Sequence, residues 1–203
     1  MTIRKGEEWT TRGPLPEGGV VVFDDAEAHH IVDAARRGNL PVPALGLLGG
    51  DLCHTLGGFG DEARLHSQHG TIAVCDLGSV LLDGRLHWFV SSLVARGPWW
   101  RGRAFLAMNA AWLGPWNIAP KAHPSDGLLD ALDVKVSPAQ WQAVKRRLPQ
   151  GDHLPHPGIR MRRAPAMQVD LGKPTPVWLD GVPVGSFTNL SVRVEVDALT
   201  VVV

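Results

Sequence analysis

Acidic residues stand beside glycines at three places in this chain: Gly49-Gly50-Asp51, Asp126-Gly127-Leu128-Leu129-Asp130 and Asp180-Gly181. The first pattern suits phosphate. Glycines after a buried strand let the backbone approach a ligand, and a helix starting there offers unpaired N–H groups to phosphate oxygens. The second pattern suits a metal. Mg²⁺ takes one or two carboxylates beside phosphate oxygens, and Asp126 and Asp130 flank a flexible glycine at the end of the proline-broken run Ala119-Pro120-Lys121-Ala122-His123-Pro124-Ser125. A plainer reading stands beside each: Asp-Gly is a common hairpin turn, and an aspartate near a turn is often a cap.

Other candidates are the imidazoles of His123, His153 and His156, which could bind a metal with Asp126 or Asp152, or contact phosphate. His29 and His30 are expected on the exposed side of a helix. The tryptophans Trp88, Trp99, Trp100, Trp112 and Trp116 are dense enough to line an apolar pocket, or to serve as core. The segment Pro98-Trp99-Trp100-Arg101-Gly102 reads as an exposed loop and a candidate lipid or ligand rim.

These residues need elements to position them. Val20–Phe23 reads as a short buried strand, and Asp24-Asp25 as an N-cap pair for a helix from Ala26 to Arg37 that stops at Gly38-Asn39. Pro43–Leu48 is a second strand running straight into Gly49, which completes a β-α-β unit. From about Thr71 the texture changes to strands: Ile72–Leu77, Leu86–Val90, Ala104–Asn109, Met167–Leu171, Pro176–Leu179, Leu190–Val196 and Leu199–Val203. One amphipathic helix, Pro138–Leu148, interrupts them, with Ser137 before its first-turn proline. The expected architecture is a small α/β domain over residues 1–70 followed by a mostly antiparallel β domain over residues 71–203.

Composition narrows the function. Basic and acidic residues both number 20, which argues against a nucleic-acid binder, although Lys145-Arg146-Arg147 with Arg160, Arg162 and Arg163 could form a local basic patch. Cys53 and Cys75 give neither a disulfide framework nor zinc spacing and read as buried thiols in a reducing compartment. With no long apolar run and no signal-peptide core, the expected location is cytoplasmic.

The order and setting of the three acidic turns resemble the bacterial diacylglycerol kinase family, relatives of sphingosine kinases and, more distantly, of NAD kinases. Gly49, Gly50 and Asp51 match the family's Gly-Gly-Asp-Gly-Thr, with Leu52 in place of the next glycine and Thr55 two positions late. Asn109, Ala119, Pro120, Ala122 and Asp126 to Asp130 fit a second run. Asp180 and Gly181 fit its Asp-Gly-Glu, with Val182 in place of the glutamate.

The resemblance implies an α/β nucleotide domain and an antiparallel β-sandwich with the active site between them, the last strand being able to return to the first domain. It implies ATP and Mg²⁺ as cofactors: Gly49, Gly50, Asp51, Thr55 and Asn109 toward the nucleotide, Asp126 and Asp130 toward the metal, and Asp180 or Asp51 as catalytic base. The acceptor would be a lipid-like or other small alcohol, with peripheral membrane contact. The family's opening Asn-Pro loop is missing and the α/β domain is short by several βα units, a loss that a homodimer could cover. Loss of Glu at 182 and Gly at 52 also suits an alternative, a non-catalytic nucleotide- or lipid-binding regulatory protein.

Overall fold

The computed structural model describes residues 9–100 and 102–203, without the side chain of Trp99. Arg101 of the expected rim and the first eight residues lie outside the described residues. The elements run in the order β1 Thr10–Arg12, β2 Val20–Val22, α1 Asp25–Arg37, β3 Leu45–Leu47, α2 Gly50–Thr55, α3 Glu62–Leu65, β4 Thr71–Leu82, β5 Arg85–Phe89, β6 Ser92–Arg96, β7 Ala104–Met108, β8 Trp112–Leu113, β9 Trp116–Asn117, β10 Leu129–Val134, α4 Pro138–Arg147, β11 Ile159–Ala164, β12 Ala166–Leu179 and β13 Val182–Val202. Short 3₁₀ turns span Pro98–Trp100 and Leu148–Gln150.

A small α/β lobe joins an antiparallel β-sandwich. In the α/β lobe β2 pairs β3 in parallel, and β3 pairs in parallel with the end of β13, Val201 opposite Leu45. The sandwich strands follow the order β1-β4-β13-β12-β6-β7-β10-β11. Three apolar clusters fill the molecule. One lies inside the sandwich around Phe89, Leu93, Leu129 and Leu179. A second packs α1 and α2 on β3, the start of β4 and the end of β13. The third lies between α4 and the outer face of β7 and β10. β4 and β13 thus supply core to both lobes. No helix among the described residues is long and apolar enough to cross a membrane.

Local chemistry accounts for the helix ends. Asp24 caps α1 by accepting from Glu27 N–H at 2.9 Å. The cationic last turn of α1, Arg36-Arg37, faces the negative end of its dipole. Pro138 opens α4 just after Ser137.

Several expectations need correction. Met167–Leu171 and Pro176–Leu179 are one strand, β12, because Gly172-Lys173-Pro174 is absorbed as an irregularity between Asp170 and Thr175 instead of turning the chain. Leu190–Val196 and Leu199–Val203 likewise belong to β13, with a register shift between Glu195 and Leu199 and Asp197 at a φ of 55°. β11 is a strand that the sequence hides, because Arg160, Arg162 and Arg163 read as a charge patch. β1 was hidden in a polar stretch. His29 is buried, 5% exposed, and only His30 faces outward.

Gly78 in β4 lies directly opposite Phe89 of β5. A Cβ there would fall 2.1 Å from the Phe89 ring, which is fully buried. Gly78→Ala is therefore expected to destabilise the fold by about 1–3 kcal/mol through overpacking. Urea unfolding measures this, and an unchanged midpoint would mean that the ring can move.

Candidate functional site

At the C-terminal ends of β2 and β3 the first turns of α1 and α2, the β12–β13 turn and the β8–β9 hairpin come together, joined through Asp25, Asp51 and Asp180. Gly49-Gly50-Asp51 follows β3 after Leu48, and α2 begins at Gly50, whose φ is 93°. A side chain could not stand at either glycine. A Cβ at Gly49 would lie 2.4 Å from the Phe23 carbonyl oxygen, and one at Gly50 2.6 Å from the Asp25 carboxylate.

Asp25 is the residue that sequence reasoning missed. Asp24 and Asp25 read as a cap pair, yet a helix has one N-cap position, and Asp24 fills it. Asp25 instead turns inward, 8% exposed, and accepts the N–H groups of Asp51 at 2.5 Å and Leu52 at 3.2 Å. Two adjacent acids with a single cap position were the available signal. Burial pushes the Asp25 carboxyl up from its ordinary 3.8 to about 7, helped by the charges of Asp180 and Asp51 and opposed by the two N–H donors.

Asp51 is half-buried, and its Oδ1 accepts from Gly114 N–H at 2.8 Å. Burial raises its pKa, Asp180 adds to the rise, and the Gly114 hydrogen bond opposes it. Thr55 is a brace between segments: its hydroxyl donates to Asp51 O at 2.8 Å and accepts from Ala111 N–H at 2.9 Å. His54 stacks on Trp112 at 4.1 Å. α2 is thereby fastened to the β8–β9 hairpin.

Asp180 and Gly181 are a hairpin turn, with φ of 51° and 82°, as the plainer reading had it. The Asp180 side chain nevertheless reaches this junction, beside His29 of α1. It is 5% exposed. Its Oδ1 accepts from Ser91 N–H, Ser91 Oγ and Ser92 N–H at 2.8–2.9 Å, and its Oδ2 accepts from Val90 N–H at 2.8 Å. His29 Nδ1 lies 3.5 Å from Oδ2, too poorly aligned for a hydrogen bond. A base needs a free lone pair aimed at the proton it removes. Asp180 takes three donors on Oδ1 and one on Oδ2, which makes it an anchor, and the remaining lone pair of Oδ2 lies toward His29.

The other expected residues lie elsewhere. Asn109 is fully buried, and its Nδ2 donates to the carbonyls of Asp76 and Val90, both at 2.9 Å. It clamps strands. Asp126 and Asp130 both pair with Arg163, so a guanidinium occupies the place expected for Mg²⁺. Asp130 is buried within β10, and burial raises its pKa against the pull of Arg163. Asp76, also missed, accepts from Gly127 N–H at 2.7 Å and fixes that glycine turn.

His123 packs edge-on against Trp9, His156 accepts from Gly158 N–H, and His153 is buried below α4. No group of three or more His, Cys, Asp or Glu side chains is arranged for a metal among the described residues. Of the tryptophans, Trp88 bonds Glu195, while Trp100 and Trp116 cover the apolar seam between α4 and the sheet together with Trp141.

Comparison with known proteins agrees with this architecture. The family described as the YegS C-terminal NAD kinase beta sandwich-like domain matches residues 92–203. No curated protein sequence matches the chain. The fold is similar to a solved structure of a diacylglycerol kinase from Bacillus anthracis str. Sterne, with 16% identity and a TM-score of 0.61 over 90% of this chain and 75% of that one. It is also similar to a candidate diacylglycerol kinase from the same organism, with 15% identity and a TM-score of 0.69 over 90% and 76%. At these identities the likeness is one of fold.

Two outcomes follow from the geometry. Asp180→Ala strands the buried N–H groups of residues 90–92 and is expected to cost at least about 3 kcal/mol of stability, read by denaturant unfolding. A stable variant would show that water replaces the carboxylate. For Asp25, the folded-state pKa lies above the ordinary value, so its protonation favours folding. That contribution is complete below about pH 4 and is lost as pH rises through about 7. Wild type should therefore lose stability relative to Asp25→Asn over that window, by at most about 4 kcal/mol. Parallel stability–pH curves would sink this assignment. With more than half of its length matched and the sandwich in place, the protein belongs to the YegS C-terminal NAD kinase beta sandwich-like family.

Proposed function

We propose that this kinase-scaffold protein is a phosphotransferase that phosphorylates the hydroxyl of a lipid-like alcohol at the junction of α1, α2 and the β12–β13 turn. The observation that carries this reading is Asp25, a buried carboxyl held against the glycine turn by the N–H groups of Asp51 and Leu52, which burial raises to about 7. A base works best when its pKa lies near the operating pH. Asp25 would take the proton of the acceptor hydroxyl, the role first expected of Asp180 or Asp51. Bound at the junction, ATP with Mg²⁺ would supply the transferable phosphoryl group.

The residues present fit that group in part. Asp51 keeps Oδ2 without a protein partner among the described residues, and one carboxylate beside phosphate oxygens is what Mg²⁺ requires. Gly49 and Gly50 offer backbone N–H groups with no acceptor among the described residues. The α2 donors beyond them, Asp51 and Leu52, are already taken by Asp25. That occupancy favours a second reading, a non-catalytic nucleotide- or lipid-binding protein in which Asp25 stands where a phosphate would.

Calorimetric titration with ATP and ADP, with and without Mg²⁺, comes first, followed by a phosphate-transfer assay on diacylglycerol and sphingoid bases. The expected result is Mg²⁺-dependent binding that Asp51→Ala weakens, and transfer that Asp25→Asn slows by about 100-fold or more. Binding without transfer to any alcohol would support the second reading. Absence of nucleotide binding would overturn the kinase reading.

A further inference from the structure

Strand β11 carries cations where a sandwich carries apolar side chains. The inner face runs over β7 and β10 through Phe105, Ala107 and Ala131, and the β11 residues opposite Ala131 and Asp133 are Arg162 and Arg160. Positions two apart on a strand share a face, so both arginines stand on the inner side. Both are exposed, because the sandwich is open there. Among the described residues β11 pairs with β10 alone, and β12 meets β6 only over Val177–Leu179.

A cavity of about 310 Å³ occupies this gap. Buried Phe105, Ala131 and Val169 form its floor, Arg160 and Arg162 one wall, and Asp170 of β12 belongs to the other. Arg103 spans the two walls. Its Nε and Nη2 donate to the two carboxylate oxygens of Asp133 at 2.8 Å, and its Nη1 donates to Asp170 O at 2.6 Å. The Asp170 carboxylate accepts from Gly172 N–H at 2.7 Å. Arg103 is therefore engaged as a brace, while no ion pair joins Arg160 or Arg162 to a carboxylate among the described residues. Inward charge on an edge strand also discourages pairing with another chain. Such a role needs no braced space in front of the charges.

We propose that this cavity binds a small phosphate monoester. Residues two apart on a strand are separated by roughly 6.6 Å, so two guanidinium groups can close on one anion. The three terminal oxygens of a phosphate ester serve both guanidinium groups, whereas one guanidinium satisfies the two oxygens of a carboxylate. The cavity is larger than a phosphate group, and its apolar floor suits the carbon body of an ester. It shares no residue with the junction of Asp25, Asp51 and Asp180. Binding there requires neither nucleotide nor turnover, so it and the kinase reading stand or fall by separate measurements.

The test is calorimetric titration of the full chain, without nucleotide or Mg²⁺, with phenyl phosphate, phenol, benzoate and inorganic phosphate. Phenyl phosphate is expected to saturate one site per chain, inorganic phosphate and benzoate to bind more weakly, and phenol not to bind. Arg160→Gln and Arg162→Gln should each weaken phenyl phosphate about tenfold or more, with urea unfolding confirming their fold. Arg162→Lys keeps the charge but loses the planar fork, and it should weaken binding as well. If a variant fails to fold, wild type supplies the second measurement: phenyl phosphate should protect Arg160 and Arg162 from phenylglyoxal, read by mass spectrometry. The proposal is overturned if phenyl phosphate does not bind, or if phenol, benzoate or inorganic phosphate binds as tightly. It is also overturned by binding that survives both glutamine substitutions, which would place the phosphate elsewhere, or by unprotected arginines.

Discussion

Three connections of the chain meet at the carboxylate of Asp180, and their mutual position depends on it. The turn between β12 and β13 supplies the anion, and the link between β5 and β6 supplies the N–H groups of Val90, Ser91 and Ser92. The Ser91 carbonyl then accepts from Asn109 and Ala110 at the end of β7. A buried charge is tolerated only when its hydrogen bonds are made, and here the backbone makes them. Burial raises Asp25 and Asp51 and the same charge adds to the rise, so one interaction both fixes the geometry of this junction and contributes to its acid–base character.

The two acidic groupings differ in how their charge is met. Asp126 and Asp130 share Arg163, and that arrangement ties the glycine turn to β10 and β11 as a structural joint. Among the described residues no ion pair joins Asp25, Asp51 or Asp180 to an arginine or lysine, and the basic groups recorded beside them are His29 next to Asp180 and His54 next to Asp51. Burial, with neighbouring carboxylates and no counter-charge, lifts Asp25 to about 7. Sequence spacing alone would have ranked these groupings the other way, since the run around Asp126 is the longer and more distinctive one.

Legibility followed the range of the interactions involved. The α/β unit, α4 and the β-rich remainder were readable because strand texture, caps and prolines are local signals. The Asp180-Gly181 turn was readable for the same reason. What Asp180 binds was not, because its donors lie about ninety residues earlier in the chain. Asp25 was assigned to a cap because its real partners, the N–H groups of Asp51 and Leu52, lie across a β-α-β crossover. Arg163 was counted as surface charge because nothing in its own neighbourhood shows that β11 pairs with β10. His29 went to the wrong face of α1 because the helix packs on more than the β2–β3 pair, and β5 and the end of β13 lie against it as well.

Strand β13 carries a consequence for how the molecule comes apart. Its first half pairs with β12 in the sandwich, and its last residues pair with β3 in the α/β lobe, while β4 runs alongside both halves. Separating the lobes would require breaking hydrogen bonds within a continuous sheet and exposing apolar side chains of both cores. Such a chain lacks a weak seam at which one lobe can melt while the other survives. Its thermal denaturation is then expected to be a single cooperative event.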